Sequence, residues 1–296
     1  MLRVGREVDT VKKYSVVIVG SGIAGMTSAI YLTRAGVKCC IIEDDAPGGQ
    51  LNRSYIIENY PGYEGIRGPE LAENIYKQVQ NLDVEYIYDS IKGVDMDNNI
   101  VHLDDDDIGY DYLIIATGRR PRKLPFDVSN FISYCGICDG ALYKGKDVMV
   151  VGSGNSSLED SLYLSNICKS VTTVLRGDRF KGEEKLIEEV NARNNILVRY
   201  NSPLRAIYEK EDGLEVEFTD TKIFVNGLFV CIGSVPNSEL FLVDKKDGYI
   251  VVDRNMRTNR DNVYAIGDVI LKDYYQLTTA TGEATIAASE IVRRRG

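Results

Sequence analysis

The chain has 296 residues, 44% of them hydrophobic and 27% charged, which suits two domains each able to bury a core. Its 35 basic and 44 acidic side chains leave a formal charge of −9, a balance that argues against general nucleic-acid binding. No stretch reaches about 18 consecutive apolar residues, and the first segment is charged and has no long apolar run, so neither a membrane span nor a signal peptide is expected and a cytoplasmic setting is the default.

Ser15–Gly20 (SVVIVG) is a β-branched run that reads as a buried parallel strand. Gly20-Ser21-Gly22-Ile23-Ala24-Gly25 follows at once and opens a helix reaching about Arg34. Lys38–Glu43 reads as the next strand, which makes a βαβ unit. In that context the glycines permit a tight turn and a close approach to a pyrophosphate, with the helix N-terminus facing the negative charge. Glu43 ends the second strand, where its carboxylate can accept hydrogen bonds from ribose hydroxyls. The motif alone does not separate a nicotinamide dinucleotide from FAD.

From Asp44 to about Gly68 no strand is clear, but two turn-rich stretches stand out, Gly48-Gly49-Gln50-Leu51 and Glu58-Asn59-Tyr60-Pro61-Gly62. Pro69–Leu82 reads as a helix, and Val84–Ile87, Ser90–Asp95 and Asn99–Leu103 as strands. The Asp104–Asp107 run is expected to be an exposed hairpin turn, since it lacks the spaced ligands of a calcium loop. His102 beside it is expected to have an ordinary surface role. Tyr112–Ala116 leads into Ala116-Thr117-Gly118, and Arg119–Pro121 reads as a crossing into a second domain.

Lys146–Val151, Gly152-Ser153-Gly154-Asn155-Ser156-Ser157, a helix over Leu158–Asn166 and a strand over Ser170–Leu175 repeat the βαβ pattern. Gly227–Ile232 and Gly233–Pro236 close this second unit. Val263–Ile266 then ends in Gly267-Asp268, and a last helix runs from about Gln276 to Arg294. The expected division is a discontinuous first domain over residues 1–118 and 238–296, with a second domain inserted over residues 119–237.

Of six cysteines, Cys39, Cys40, Cys168 and Cys231 lie in or beside apolar runs and read as buried small hydrophobes. Cys135-Gly136-Ile137-Cys138-Asp139 differs. Two cysteines separated by two residues can close a small disulfide ring, and a helix start would stabilise a thiolate there. No second such pair exists to complete a four-cysteine zinc site, so no metal is expected.

Taken in order, GSGIAG, GGQL, ENYPG, ATG, YCGICDG, GSGNSS, IGSVPN and YAIGD resemble the thioredoxin reductase branch of the two-dinucleotide-domain flavoproteins, over nearly the whole chain after about Tyr14. The resemblance implies an α/β fold of two Rossmann-like three-layer domains, the second inserted in the first, with FAD as cofactor. It implies cofactor contacts from Gly20, Ser21, Gly22, Ala24, Gly25, Glu43, Asp44, Gly49, Gln50, Leu51, Asn59, Ile91, Ala116, Thr117, Gly118, Gly267, Asp268, Gln276, Leu277 and Thr278. It also implies that Cys138 faces the flavin, that Cys135 attacks a partner disulfide, and that Asp139 is the acid/base. The implied substrate is a separate thioredoxin or thioredoxin-like protein, and the implied assembly is a homodimer.

The electron donor follows the pattern least well. Relatives that use NADPH carry His-Arg-Arg after the second unit's second strand, with another arginine after three intervening residues, the position that Lys181 holds here. Here Leu175-Arg176-Gly177 stands instead, followed by Asp178, Arg179, Phe180 and Lys181, and Ser157 replaces the glycine motif's last alanine. No acidic ribose acceptor marks an NADH site at Leu175 or Arg176. The expected donor is therefore reduced ferredoxin, as in a branch with similarly eroded motifs, with NADPH the alternative. A flavoprotein acting on ferredoxin and NADP would lack the cysteine pair, and a redox sensor would capture partners without turnover.

Overall fold

The computed structural model describes residues 11–54, 56–125 and 129–296, so the signal-peptide reading of residues 1–10 lies outside it. The chain divides into two units. Among the described residues one comprises 11–52, Ile56–Arg119 and Pro236–Gly296, and the other is built on Arg120–Val235.

In the first unit β1 (Lys12–Val19) is central because both of its faces are apolar. Val16 and Ile18 enter one core, and Tyr14, Val17 and Val19 enter the other. After α1 (Ile23–Arg34), β2 (Cys39–Glu43) lies parallel to β1, with Val16 opposite Cys39. Pro69 sits in the first turn of α2 (Gly68–Gln80), where a missing N–H does no harm. β3 (Glu85–Tyr88) pairs with β2, β4 (Gly93–Asp95) and β5 (Ile100–His102) form a hairpin, and β6 (Asp107–Ile115) runs parallel beside β1. The sheet order is β3-β2-β1-β6-β5-β4. β1 starts earlier than expected because Lys12 and Lys13 pair with Ile108 and Gly109. The acidic run is the expected hairpin turn, with Leu103 N–H donating to Asp106 O at 2.9 Å. His102 Nδ1 lies 2.7 Å from Asp107 Oδ1 at the surface.

The second unit holds β7 (Ile132–Ser133), α3 (Gly136–Asp139), β8 (Asp147–Gly152), α4 (Asn155–Ser165), β9 (Ser170–Val174), α5 (Glu184–Asn191) and β10 (Ile196–Arg199). Then come β11 (Ala206–Lys210), β12 (Gly213–Glu217), β13 (Lys222–Val225) and β14 (Gly227–Cys231). Five strands form a parallel sheet ordered β7-β14-β8-β9-β10, and β11, β12 and β13 form an antiparallel sheet. Met149 and Val151 of β8 pack with Leu214, Val216 and Val225 of the antiparallel layer. Val148 and Val150 face the opposite way, toward Leu164 of α4. α4 begins at Asn155 rather than Leu158. Asn155 Oδ1 accepts Glu183 N–H at 2.8 Å and its Nδ2 donates to Glu183 Oε1 at 3.0 Å, which anchors the first turn.

The chain then returns to the first sheet. β15 (Val263–Ala265) pairs with the C-terminal part of β6, and α6 (Leu277–Arg295) packs on α1 through Ala280, Ala284, Ala287 and Ala288. The α/β fold of two Rossmann-like units is the one expected. Among the described residues no helix is long and apolar enough to cross a membrane.

Candidate active site

In the first unit the C-terminal ends of β1, β2, β6 and β15 share one edge of the sheet. At Gly20 (φ 102°) a Cβ would stand 2.5 Å from Ala116 O, and at Gly25 it would collide with Gly20 O, so the protein's own backbone requires both glycines. At Gly22, the N-cap of α1, no protein atom lies within 4 Å of that position, so the loop is packed behind and open in front. Helix geometry leaves the amides of Ile23, Ala24 and Gly25 without intrahelical acceptors at the positive end of α1.

Glu43 stabilises this loop. Its Oε2 accepts Ser21 N–H at 2.6 Å, and Oε1 accepts the amides of Asp44 and Asp45 at 3.1 and 3.2 Å. Burial pushes its carboxyl up from the ordinary range, against the pull of those amides. Asp44 is exposed beside it. Gly48 N–H donates to Ser21 O at 2.8 Å, and this brings Gly49 up against Gly22. Gln50 is exposed and its Nε2 donates to Arg119 O at 2.8 Å. Leu51 turns the other way, into the core, and the partly buried Ile91 packs against the opposite core.

Behind Gly20, Ala116 N–H donates to Val19 O at 2.8 Å. Thr117 Oγ1 donates to Asn237 O at 2.6 Å, and Gly118 (φ 63°) accepts from Asn237 N–H. Asn59 Nδ2 donates to Gln276 Oε1 at 3.2 Å, next to Leu277 and Thr278 at the start of α6. Gly267 (φ 75°) lies against Ala24, where a Cβ would stand 3.0 Å from the alanine methyl. Asp268 is engaged, with Arg119 Nε at 3.0 Å from Oδ2 and Lys272 Nζ at 3.8 Å from Oδ1. Lys272 also pairs with Glu283 at 3.0 Å, and Glu283 Oε2 accepts Gly267 N–H at 2.8 Å. Sequence reasoning missed Arg119, Lys272 and Glu283: Arg119 and Glu283 lie far from Asp268 in the chain, and Lys272, four residues after it, carries no motif.

In the second unit Cys135 and Cys138 form a disulfide with Cα atoms 5.3 Å apart. Cys135 is the N-cap of the single turn α3, and its Sγ accepts Cys138 N–H at 3.2 Å. Asp139 is held from outside the motif, since Ser133 Oγ donates to its Oδ2 at 2.7 Å and accepts Cys135 N–H at 3.0 Å. Ser133 is therefore a hub of the redox turn that the motif did not reveal. Cys39, Cys40 and Cys168 are buried with thiols pushed up by burial, so they are inert. Cys231 is not the plain buried hydrophobe expected, because it is only partly enclosed and its S–H donates to Asp160 Oδ2 at 3.2 Å.

The second glycine loop repeats the first. A Cβ at Gly152 would stand 2.9 Å from Ser157 Cβ, and Gly154 at the N-cap of α4 opens onto space. Ser157 is fully buried, with Oγ donating to Gly154 O at 2.7 Å, so it serves the packing role of the usual alanine. Leu175 is buried against Leu158, Leu162, Phe180 and Val190, which bars it from any phosphate. Arg176, Gly177, Asp178, Arg179 and Lys181 are all exposed around it.

A family model described as pyridine nucleotide-disulphide oxidoreductase matches residues 14–285. The chain belongs to the pyridine nucleotide-disulphide oxidoreductase family. Within that family, a thioredoxin reductase of Ureaplasma parvum is 35% identical over 93% of this chain and 94% of its own. A thioredoxin reductase of Bacillus subtilis is 33% identical over 95% and 94%. The solved thioredoxin reductase of Lactococcus lactis superposes with a TM-score of 0.90 at 34% identity, covering 95% of this chain and 98% of that one.

This pyridine nucleotide-disulphide oxidoreductase binds FAD and is an FAD-dependent oxidoreductase. The first unit's site fits that cofactor, since a loop tight behind and open at Gly22 leaves room for a pyrophosphate while amides of α1 face it. Bound FAD would supply hydride acceptance and single-electron transfer, which side chains lack, and pass electron pairs to a disulfide.

Asp160, on α4, gives this family member a pH signature. Burial pushes its carboxyl up to about 6, with the Cys231 and Gly136 donors opposing. The folded state thus holds this proton longer than the unfolded one, so stability is highest below the unfolded value and falls as pH rises from about 4 to about 6. The expected loss for this half-buried group is on the order of 2 kcal/mol. Asp160→Asn removes that drop in urea unfolding at pH values either side of the window, and an identical drop in wild type and variant would assign it elsewhere. Glu159 is pushed up to about 6 as well, by burial and then by Asp160 and Glu183, but it reaches solvent and water screens its effect on stability.

Proposed function

We propose that this chain is a thioredoxin reductase, with Cys135 and Cys138 as its redox pair, FAD as its cofactor and NADPH as its donor. One observation carries the reading: the Cys135–Cys138 disulfide caps a one-turn helix whose Cys138 amide points at Cys135 Sγ. Two electrons and two protons convert that disulfide to two thiols. The Cys135 thiolate then attacks one sulfur of an oxidised thioredoxin or thioredoxin-like protein, forming a mixed disulfide and releasing the other sulfur as a thiolate. Cys138 attacks Cys135 Sγ, the intramolecular disulfide re-forms, and thioredoxin leaves with two thiols. Asp139, fixed by Ser133, exchanges protons with these sulfurs.

For FAD we assign the pyrophosphate to Gly20, Ser21, Gly22, Ala24 and Gly25, the adenosine ribose to Glu43 with Asp44, and the adenine to the Ile91 backbone. Gly49, Gln50, Leu51, Asn59, Ala116, Thr117 and Gly118 would line its length. Gly267 and Asp268 would meet the ribityl chain, and Gln276, Leu277 and Thr278 the ring. The domain division at residues 118/119 and 237/238 and the homodimer belong to the same proposal, and sedimentation of the FAD-loaded protein tests the dimer.

The donor rests on the loop after β9. Its motif positions are eroded, yet Arg176, Arg179 and Lys181 are three exposed cations against one Asp178, which suits a 2′-phosphate. The similar thioredoxin reductases lend no support to ferredoxin. Ferredoxin remains the second reading, favoured by the buried Leu175 and the bare Gly177. The test is anaerobic: NADPH, NADH and reduced ferredoxin are added separately with oxidised thioredoxin, and flavin bleaching and thiol release are followed. Turnover with ferredoxin alone replaces the donor, and capture of thioredoxin without turnover by any donor replaces the enzyme reading. A side chain at Gly177 would meet no protein atom within 4 Å. Gly177→Arg is therefore expected to lower KM for NADPH by roughly tenfold, the value of one charge-assisted contact, and to leave KM for NADH unchanged.

A further inference from the structure

The redox turn rests on a carboxylate that the proposed reaction does not use. Asp160 of α4 fills the space beside Gly136, the residue after Cys135. A Cβ at Gly136 would stand 2.6 Å from both Cγ and Oδ1 of Asp160. Oδ2 accepts Gly136 N–H at 3.2 Å and Cys231 S–H at 3.2 Å. The turn therefore has two amides near its first sulfur with different fates: Cys138 N–H points at Cys135 Sγ, and Gly136 N–H is held by Asp160.

We propose that Asp160 is a positioning residue for the redox pair, fixing the backbone at Gly136 and, when ionised, holding back the Cys135 thiolate in the reduced protein. The physical reason is the placement of the charge. A carboxylate one peptide unit from Cys135 withholds an amide that would otherwise help stabilise a thiolate, and adds like-charge repulsion. When Asp160 is neutral the repulsion is gone and the Cys138 amide acts unopposed.

The groups facing Asp160 are few. β14 brings Cys231, whose thiol burial and Asp160 push well up, so it stays protonated as a donor. α4 itself adds Glu159, which Glu183 at the start of α5 also influences. α3 brings Asp139, bonded to Ser133. β9 carries no titratable residue, and Asp147 of β8 is engaged by Lys169 and Ser170. Asp160 is the one of these bonded directly to the redox turn's backbone amide.

This inference rests on Cys135–Cys138 being redox-active, but not on the donor or on thioredoxin. The test uses the FAD-loaded protein, reduced anaerobically with dithiothreitol and freed of it. Iodoacetamide is added across a pH series, and alkylation of Cys135 is followed by mass spectrometry. A thiolate sulfur displaces iodide, so the rate reports the thiolate fraction. Wild type is expected to show a shallow rise through the range where Asp160 ionises. Asp160→Asn, which keeps an oxygen for Gly136 N–H, should give a single steep titration and about tenfold faster alkylation at neutral pH, one unit of thiol pKa. Cys231→Ala removes a donor to the carboxylate and should move the shallow region to higher pH without abolishing it. Superposable profiles for wild type and Asp160→Asn, with circular dichroism and flavin spectrum unchanged, would overturn the inference. Should Asp160→Asn fail to fold, an unmoved profile in Cys231→Ala overturns it instead. A wild-type disulfide that dithiothreitol does not open, while denatured protein is reduced, would instead bring down the redox-pair reading itself.

Discussion

Replacing Cys138 by serine is expected to cut thioredoxin turnover by at least roughly a thousandfold, as loss of one member of a cooperating catalytic pair does, and to leave Cys135 able to hold thioredoxin in a lasting mixed disulfide. The reason lies in the turn. Cys135 is the N-cap and its sulfur accepts the Cys138 amide at 3.2 Å, so Cys135 is the sulfur whose anion the turn stabilises. That makes it the attacking thiol, and Cys138 the one that resolves. Without Cys138 the attack proceeds when reduced Cys135 meets thioredoxin, but nothing displaces the product. Cys135→Ser should lose activity equally and trap nothing. Non-reducing electrophoresis after mixing with thioredoxin reads the adduct, and flavin content checks that each variant is folded. Trapping by Cys135→Ser in place of Cys138→Ser would reverse the two roles.

Gly25→Ala is expected to empty the flavin site. A Cβ there would run into Gly20 O, which is backbone and cannot swing aside. The loop or the start of α1 must shift, at a cost of about 2–3 kcal/mol, and the amides at the helix start no longer meet the pyrophosphate. FAD affinity should fall by roughly 30- to 100-fold, read as lost flavin absorbance after purification and by titration of the apoprotein. Gly282→Ala is the control. Gly282 lies exposed in α6 with nothing within 4 Å of a Cβ, so alanine there should bind FAD normally and gain about 1 kcal/mol of stability. Full flavin content in Gly25→Ala would mean that the loop relaxes more easily than its packing implies.

Much of this was legible one segment at a time. The βαβ units show in the sequence because a strand buried on both faces must be a continuous apolar run, as SVVIVG and KDVMVV are, and because the glycines that follow each run have a local steric cause. β10 to β13 and α5 were missed. β10 and β11 hold only half-buried and exposed residues, so their apolar signal is weak, whereas β12 is a short run whose Leu214 and Val216 are buried. The donor expectation failed to gain support for a related reason. Matching Leu175 and Gly177 against a motif counts positions, whereas a phosphate responds to cations in space, and Arg176, Arg179 and Lys181 project from one exposed loop around a buried leucine.

The sequence by itself determined the two glycine loops, the cysteine pair and the α/β architecture, because each depends on contacts between near neighbours in the chain: a turn, a small disulfide ring, a strand beside its own helix. Only the tertiary structure decided what surrounds them. Asp160 beneath Gly136, Cys231 on Asp160, Ser133 between Cys135 and Asp139, and the Arg119–Asp268 and Lys272–Glu283 pairs are hydrogen bonds and ion pairs between residues on different elements. Such partners depend on which elements the packing sets side by side, and no spacing along the chain encodes that directly.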